Sequence, residues 1–344
     1  MSTNALVTGI NGQDGAYLTK NLLDRGFSVT GSVRSVGHVD LWRFRELGIL
    51  EHPNLMISPL QLEDAGQCMA LIKEAEPCHI FHLAGHTKVA ASFADPIGFA
   101  RVNAMGTLHL LEAMRHHTPE ARFVFASSAE LFGDSDQYPQ NEQTPFHPRN
   151  PYAITKQFAH AAAVCYRESY NLHTSCAILF NHESPLRGPE FVTRKISLGV
   201  AHIATGQEQE IHLGNLDVQR DFGFAPDYVD AMIKMALLPS GDDYVLASGT
   251  STSVRDFVEF AFSAINIELD WHGEGLQQVG VERGSNTVRV RVDAKFFRPL
   301  DARVLVGDAT KARTKLGFRP TADTRTIARN MVTADLARVR AACA

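Results

Sequence analysis

Tyr152 and Lys156 stand four residues apart in Tyr152-Ala153-Ile154-Thr155-Lys156, the spacing that places two side chains on one face of a helix. An ammonium beside a phenol favours the phenolate, so such a tyrosine can take the proton of an alcohol near neutral pH while hydride leaves the same carbon. Upstream, Phe123-Val124-Phe125-Ala126-Ser127-Ser128-Ala129-Glu130 sets a hydroxyl and a carboxyl two residues apart after an apolar run. Ser128 can hydrogen-bond a reacting oxygen, and Glu130 can serve as acid and base if burial raises its pKa. An exposed helix accounts for the first pair without any chemistry. A strand end with a helix-capping glutamate accounts for the second. The surrounding elements separate these readings.

Ala5-Leu6-Val7-Thr8 reads as a buried strand that runs directly into Gly9-Ile10-Asn11-Gly12-Gln13-Asp14-Gly15. A helix over 15–25 follows, with Leu18, Leu22 and Leu23 on one face. The G-x-x-G-x-x-G spacing supplies glycine where a Cβ would block a tight turn, the approach of backbone to a pyrophosphate, or the helix against the strand. The helix N-terminus offers free N–H groups to phosphate. An ordinary strand–helix turn also carries glycines, but the first βα turn is where the dinucleotide fingerprint belongs. After the second strand, Ser32-Val33-Arg34-Ser35 offers an arginine and no carboxylate. A carboxylate there would bind ribose hydroxyls and an arginine can hold a 2′-phosphate, so NADP is the expected cofactor, against the alternative of a solvated Arg34.

Further strands over 28–33, 79–83, 123–127 and 175–180, and helices over 97–116 and 152–170, continue the alternation. Apolar strands separated by helices specify a parallel sheet covered on both faces, a doubly wound Rossmann-type α/β fold. Its carboxyl edge would carry Ser128. Beyond about residue 180 the rhythm becomes irregular. Pro185, Gly188 and Pro189 interrupt it, Gly273, Gly275, Gly280 and Gly284 mark loops, and a helix over 324–342 ends the chain. The expected division is a cofactor domain over 1–180 with a returning segment near 215–235, and a smaller mixed substrate domain over 181–344 interleaved with it.

Composition excludes several classes. The 344 residues are 44% hydrophobic and 21% charged, the balance of a globular protein with a sizeable core. Lys and Arg number 33 against 38 Asp and Glu, with no basic concentration of the kind that binds nucleic acid. No stretch reaches the roughly 18 consecutive apolar residues of a membrane helix. No basic leader or cleavage site precedes the glycine motif, which argues against export. Five scattered cysteines fit reduced thiols in a cytoplasm. The 15 histidines form no compact ligand pattern, so no metal is expected.

Taken together, these motifs resemble the extended short-chain dehydrogenase/reductase family of nucleotide-sugar enzymes. Longer segments narrow the resemblance to its GDP-mannose 4,6-dehydratase branch. They are the glycine loop, Ile178-Leu179-Phe180-Asn181-His182-Glu183-Ser184-Pro185-Leu186-Arg187-Gly188, Phe191-Val192-Thr193-Arg194-Lys195-Ile196, Leu213-Gly214-Asn215-Leu216-Asp217, Arg220-Asp221 and Phe297-Arg298-Pro299. The resemblance implies a hydro-lyase that dehydrates GDP-mannose, or a close GDP-hexose or heptose, by internal redox with bound NADP. It implies catalytic roles for Ser128, at the position of a family threonine, and for Glu130, Tyr152 and Lys156. Cofactor contacts would come from Gly9, Asn11, Gly12, Gln13, Asp14, Gly15, Arg34, Gln61, Leu62, Leu83, Gly85, Lys156, His182 and Arg187. Substrate contacts would come from Thr87, Asn181, Val192, Lys195, Arg220, Arg298 and Asp301. A homodimer or homotetramer is expected.

Four departures stand out. Ser127-Ser128-Ala129-Glu130-Leu131-Phe132 replaces Ser-Thr-Ser-Glu-Leu-Tyr, and Leu60-Gln61-Leu62 replaces Gly-Asp-Leu. Gly85-His86-Thr87 replaces Ala-Gln-Ser, and Arg34-Ser35 replaces a pair of arginines. Two other functions suit parts of the pattern. A nucleotide-sugar 4-epimerase or 4-ketoreductase needs Tyr152 and Lys156 but not Glu130. A nucleotide-binding regulatory protein would need none of the four.

Overall fold

Seven strands form a parallel sheet in a computed structural model that describes residues 3–296 and 304–343. In chain order the first six are β1 (Asn4–Thr8), β2 (Ser28–Val33), β3 (Leu55–Pro59), β4 (His79–His82), β5 (Arg122–Ala126) and β6 (His173–Leu179). The sheet runs β3-β2-β1-β4-β5-β6 and ends with Asp243–Leu246. Ala5, Leu6 and Val7 of β1 and Phe123, Val124 and Phe125 of β5 are all buried, as strands covered on both faces must be. The order reverses between β1 and β4, which opens the crevice where open α/β sheets bind ligands.

This sheet belongs to the first of two compact units. That unit comprises the chain up to Phe180, Ala225–Leu246 and Gly307–Arg319. Its core joins Leu6, Ile80 and Phe123 of the sheet to Leu110, Leu111, Ala159 and Ala163 of the covering helices. The returning segment Ala225–Leu246 overlaps the one expected near 215–235 and extends beyond it, and Gly307–Arg319 is a second return without a sequence signal. Strand β3 and the helix Ala65–Ala75 were also not anticipated. β3 is an edge strand with Met56 exposed, so its apolar pattern is diluted.

The helix expected over 97–116 is three pieces. An α-helical turn Pro96–Phe99 leads into a π-helical stretch Ala100–Met105, followed by the α-helix Gly106–His117. The glycine-loop helix, α1, spans Gln13–Asp24. The long helix Pro151–Tyr170 starts where Asn150 accepts from the Ala153 N–H at 2.8 Å, with Pro151 at its first position, and ends at Asn171 in the left-handed region.

The second unit comprises Asn181–Phe224, the described residues between Ala247 and Val306, and the chain from Pro320 on. One small sheet is built on Gln219–Phe224, flanked by Ser251–Ser253, Asn181–Glu183 and Val304–Leu305. The other holds Leu269–His272, Val279–Glu282, Val288–Val292 and Ile211–Leu213. Ile196, Val200, Phe257, Phe262, Ile327 and Met331 from three helices fill its core. No described helix is long and apolar enough to cross a membrane.

Candidate active site

At the head of β1, Gly9 takes φ +70°, and a Cβ there would lie 2.8 Å from the Ala84 backbone that follows β4. A Cβ on Gly15 would lie 2.5 Å from the Gly9 carbonyl. The turn therefore closes only with glycine at these positions. Gly12 caps α1 without a side chain, so the helix presents its first-turn N–H groups and positive end toward the loop. Gln13 Nε2 donates to Asp14 Oδ1 at 3.1 Å, and Arg43 Nη1 holds the Asn11 carbonyl at 2.9 Å. Arg34 is exposed after β2, and its carbonyl accepts from Gln61 Nε2 at 3.0 Å. Leu62 is buried beside Gln61. This cradle fits a dinucleotide: small at the turn, rich in N–H donors and cationic after β2.

Leu83 and Gly85 continue from β4, half-buried. Asn103, carried by the π-helical stretch, fixes this segment. Its Oδ1 accepts from the His86 N–H at 2.8 Å, its Nδ2 donates to the His86 carbonyl at 3.0 Å, and Nδ2 also reaches Thr155 Oγ1 at 3.2 Å. A π-helical turn at a site is a common way to aim one side chain. The His86 ring rests 4.9 Å from Phe99, and burial together with the Arg34 charge holds its imidazole below its ordinary pKa. Thr87 is exposed beyond it.

Below that segment His82 is fully buried between two hydroxyls. The Ala84 N–H donates to Thr8 Oγ1 at 3.1 Å, and Thr8 Oγ1 lies 2.8 Å from His82 Nδ1. His82 Nε2 lies 3.0 Å from Thr107 Oγ1, which donates to the Asn103 carbonyl at 2.7 Å. One neutral tautomer satisfies the chain, and burial, then the Lys156 charge, push His82 down to about 3.

The four residues expected to carry chemistry lie on two adjoining elements. Ser128, buried, caps the short turn Ala129–Leu131, and its Oγ accepts from the Glu130 N–H at 3.2 Å. Glu130 is half-buried, and its Oε2 accepts from Asn150 Nδ2 at 2.9 Å. Asn150 thus joins Glu130 to the cap of the helix that bears Tyr152 and Lys156. Tyr152 is buried, edge-on to Phe99. Lys156 Nζ donates to the Ala126 carbonyl at 2.7 Å and lies 4.7 Å from the face of Phe125. Burial alone lowers its pKa to about 8, so the ammonium remains the main form at neutral pH.

Sequence reasoning missed Asn103 and Asn150. The first had no signal, because its role arises from the π-helical turn. The second was readable as an N-cap asparagine before proline at Asn150-Pro151.

In the second unit Asn181 and His182 lie on the strand paired with Gln219–Phe224, opposite Phe222 and Gly223. Arg187 Nε pairs with the buried Glu183 carboxylate at 3.0 Å, and its guanidinium stacks 3.6 Å from Phe191. Glu183 also accepts from Thr193 Oγ1 at 2.5 Å. Val192 and Lys195 stand one turn apart on the helix Val192–Ala204. Lys195 Nζ lies 3.3 Å from the Phe296 ring centroid, and burial holds it below its ordinary pKa. Arg220 sits on the central strand of its sheet, opposite Thr252 and Leu305. Arg298 and Asp301 lie outside the described residues.

A family model described as GDP-mannose 4,6 dehydratase matches residues 6–331. A GDP-mannose 4,6-dehydratase from Sinorhizobium fredii is 42% identical over 344 residues, covering 98% of this chain and 97% of its own length. The human GDP-mannose 4,6 dehydratase is 40% identical over 344 residues, covering 98% of this chain and 92% of its own. The fold is shared with a UDP-glucose 4-epimerase from Thermus thermophilus solved with NAD, at 22% identity and a TM-score of 0.78 over 96% of this chain and 98% of that one. Fold therefore does not separate dehydratase from epimerase, whereas sequence similarity along almost the whole chain does.

Proposed function

Because the chain belongs to the GDP-mannose 4,6-dehydratase family, a family of hydro-lyases, we propose that it converts GDP-mannose, or a close GDP-hexose or heptose, to the 4-keto-6-deoxy sugar, with NADP held in the first unit. The observation that carries the assignment is Glu130, tied through Asn150 to the helix of Tyr152 and Lys156. An epimerase or ketoreductase uses the tyrosine and lysine but has no work for this carboxyl.

The Lys156 ammonium favours the Tyr152 phenolate, which takes the proton of the sugar 4-hydroxyl and becomes the phenol. The Ser128 hydroxyl hydrogen-bonds the oxygen that becomes the ketone. When bound, NADP would supply a hydride acceptor for C4 and a hydride donor for C6. The 4-ketone acidifies the C5 hydrogen, and Glu130 removes that proton. Glu130 then protonates the 6-hydroxyl, which leaves as water. Once C6 has received hydride, C5 takes up a proton equivalent to the one Tyr152 removed from the 4-hydroxyl, which restores the phenolate and closes the balance. The glycine loop with Gln13 and Asp14, Arg34, Gln61, Leu62, Leu83 and Gly85 would hold NADP, and the resemblance adds His182 and Arg187 to the cofactor contacts. Thr87, Asn181, Val192, Lys195 and Arg220 would hold the GDP-sugar.

Met105, Ile154 and Phe158 are exposed apolar side chains on neighbouring helices of the first unit, and this face suits a second copy of the chain. A homodimer that Phe158→Glu dissociates in sedimentation is the expected outcome, and a monomeric parent would refute it.

Glu130→Gln keeps shape and hydrogen bonding but removes proton transfer. Dehydration should fall ~10²–10⁴-fold, while NADPH absorbance builds up after GDP-mannose is added. Tyr152→Phe should give no such absorbance. Release of the 4-keto-6-deoxy sugar by Glu130→Gln at the parent rate would move the epimerase or ketoreductase reading ahead.

A further inference from the structure

Three side chains from the start and first half of one helix reach the same short stretch of chain. Asn150 holds the Glu130 carboxylate at 2.9 Å, Lys156 holds the Ala126 carbonyl at 2.7 Å, and His160 Nδ1 lies 3.1 Å from Ser127 Oγ. Tyr152, Lys156 and His160 recur at intervals of four residues on the helix Pro151–Tyr170, and all three are buried. Ser127 directly follows the last residue of β5, its N–H folded back to the Phe125 carbonyl at 3.0 Å. The next residue is Ser128.

His160 is itself held from behind. Its Nε2 lies 3.6 Å from Asp243 Oδ2. Arg167 Nη1 and Nη2 each donate to one oxygen of that carboxylate at 3.0 Å, and the Cys176 N–H donates to Oδ1 at 3.2 Å. Burial opposes charge on Asp243, but the nearby His160 ring and the Arg167 hydrogen bonds more than offset it and keep the carboxyl ionised below its ordinary range. With Nε2–H facing Asp243, Nδ1 accepts the Ser127 hydroxyl proton, so one tautomer serves both ends.

Serine, histidine and aspartate in a row have the composition of a hydrolytic triad. Ser127 is 3% exposed, however, and Phe146 packs edge-on to the His160 ring at 5.0 Å, so no substrate carbonyl can reach the hydroxyl. His160, Cys176 and Asp243 also come within 4.8 Å of one another, as metal ligands would. Arg167 already takes both oxygens of the carboxylate, and burial keeps the Cys176 thiol protonated. What remains is orientation. We infer that His160, braced by Asp243 and Arg167, is a positioning residue that fixes the turn at Ser127 and so aims Ser128 and Glu130 at the sugar held by Tyr152. The inference rests on the catalytic roles proposed above.

The test uses the full-length enzyme with bound cofactor and GDP-mannose. Because misplacement of a reacting group by about 1 Å can cost ~10²-fold, Ser127→Ala and His160→Phe should each lower kcat ~10–100-fold. KM and cofactor affinity should stay within about twofold, since ground-state binding is untouched. The double variant should be no slower than the slower single, because the two residues act along one path. His160→Asn, whose amide can take the place of Nδ1, should recover most of kcat. Parent-like kcat in Ser127→Ala, or losses that multiply in the double variant, would overturn the positioning role. So would a fall in kcat matched by equal loss of cofactor affinity and melting temperature. A parent enzyme that releases no water from GDP-mannose would instead overturn the proposed function, and this inference with it.

Discussion

Lys156 and Arg187 are both cations assigned to ligand contact, and the two units hold them by opposite electrostatics. Lys156, in the first unit, is 4% exposed and donates to a neutral carbonyl, so burial alone sets its pKa. Arg187, in the second, lies 3.0 Å from a buried carboxylate, with its guanidinium carbon 3.6 Å from an aromatic ring centre. A cation without a counter-charge keeps its field for whatever negative charge develops beside it, and such preorganised fields act most strongly out of water. A cation paired with a carboxylate has much of that field cancelled, but its guanidinium plane is fixed for a bidentate anion. The first arrangement suits a reaction, where charge appears only in the transition state. The second suits recognition of a charge already present.

Lys156→Met carries the largest expected effect. Removing the cation from Tyr152 should lower kcat ~10²–10⁴-fold, the range for a positioned acid–base system, with a smaller change in substrate KM. Stability should move the other way. The folded-state pKa of about 8 lies below the ordinary 10.5, so between those values the unfolded chain binds more protons than the folded one. The parent, measured without substrate, should therefore gain stability as pH rises from 8 to 10.5, by about 3 kcal/mol. The desolvation cost remains in full below pH 8. Urea midpoints across this window should rise for the parent relative to Lys156→Met. Parallel curves for the two proteins would show that Lys156 is solvated and that the contrast with Arg187 is false.

Glu183→Gln tests the other side and should act on stability first. It leaves the half-buried Arg187 beside a neutral amide, and stranding one member of a fully buried pair costs about 3 kcal/mol or more, so the loss here should lie below that. Thr193 also loses a charged acceptor. Denaturation should show this loss, together with weaker ligand binding and a kcat changed much less than in Lys156→Met. A variant as stable as the parent would mean that Arg187 is held by Phe191 rather than by charge.

The same contrast decides what was legible in the sequence. The glycine loop is set by backbone geometry that only glycine permits, so Gly9 and Gly15 could be read from spacing and order. Tyr152 and Lys156 share a helical face for the same local reason. Ser127, His160 and Asp243 are 33 and then 83 residues apart in a chain that leaves the first unit and returns to it between them. No local pattern announces a network closed by tertiary return. Asn103 depends on a π-helical turn inside what the apolar period describes as one continuous helix. The second unit's edges depend on pairing between short strands of three or two residues, too brief for alternation to show. Residues whose role follows from local geometry were visible, and those whose role follows from a partner far along the chain were not.

Arg34 is a third kind of cation and should give the smallest effect. It is exposed at the carboxyl end of β2, and the sequence there offers no carboxylate. In solvent its attraction for a phosphate is screened and competes with side-chain freedom, so its contribution should be modest. Arg34→Ala should weaken NADP binding about tenfold, near the value of one charge-assisted pair, and leave NAD binding nearly unchanged. The NADP loss should shrink as salt rises, which neither Lys156→Met nor Glu183→Gln should show. Titration of both cofactors at low and high ionic strength checks this. Equal losses for NAD and NADP would remove Arg34 from the 2′-phosphate. An undiminished loss at high salt would mean that Arg34 closes over the phosphate and becomes desolvated on binding, which would place it with Arg187 rather than with the free surface.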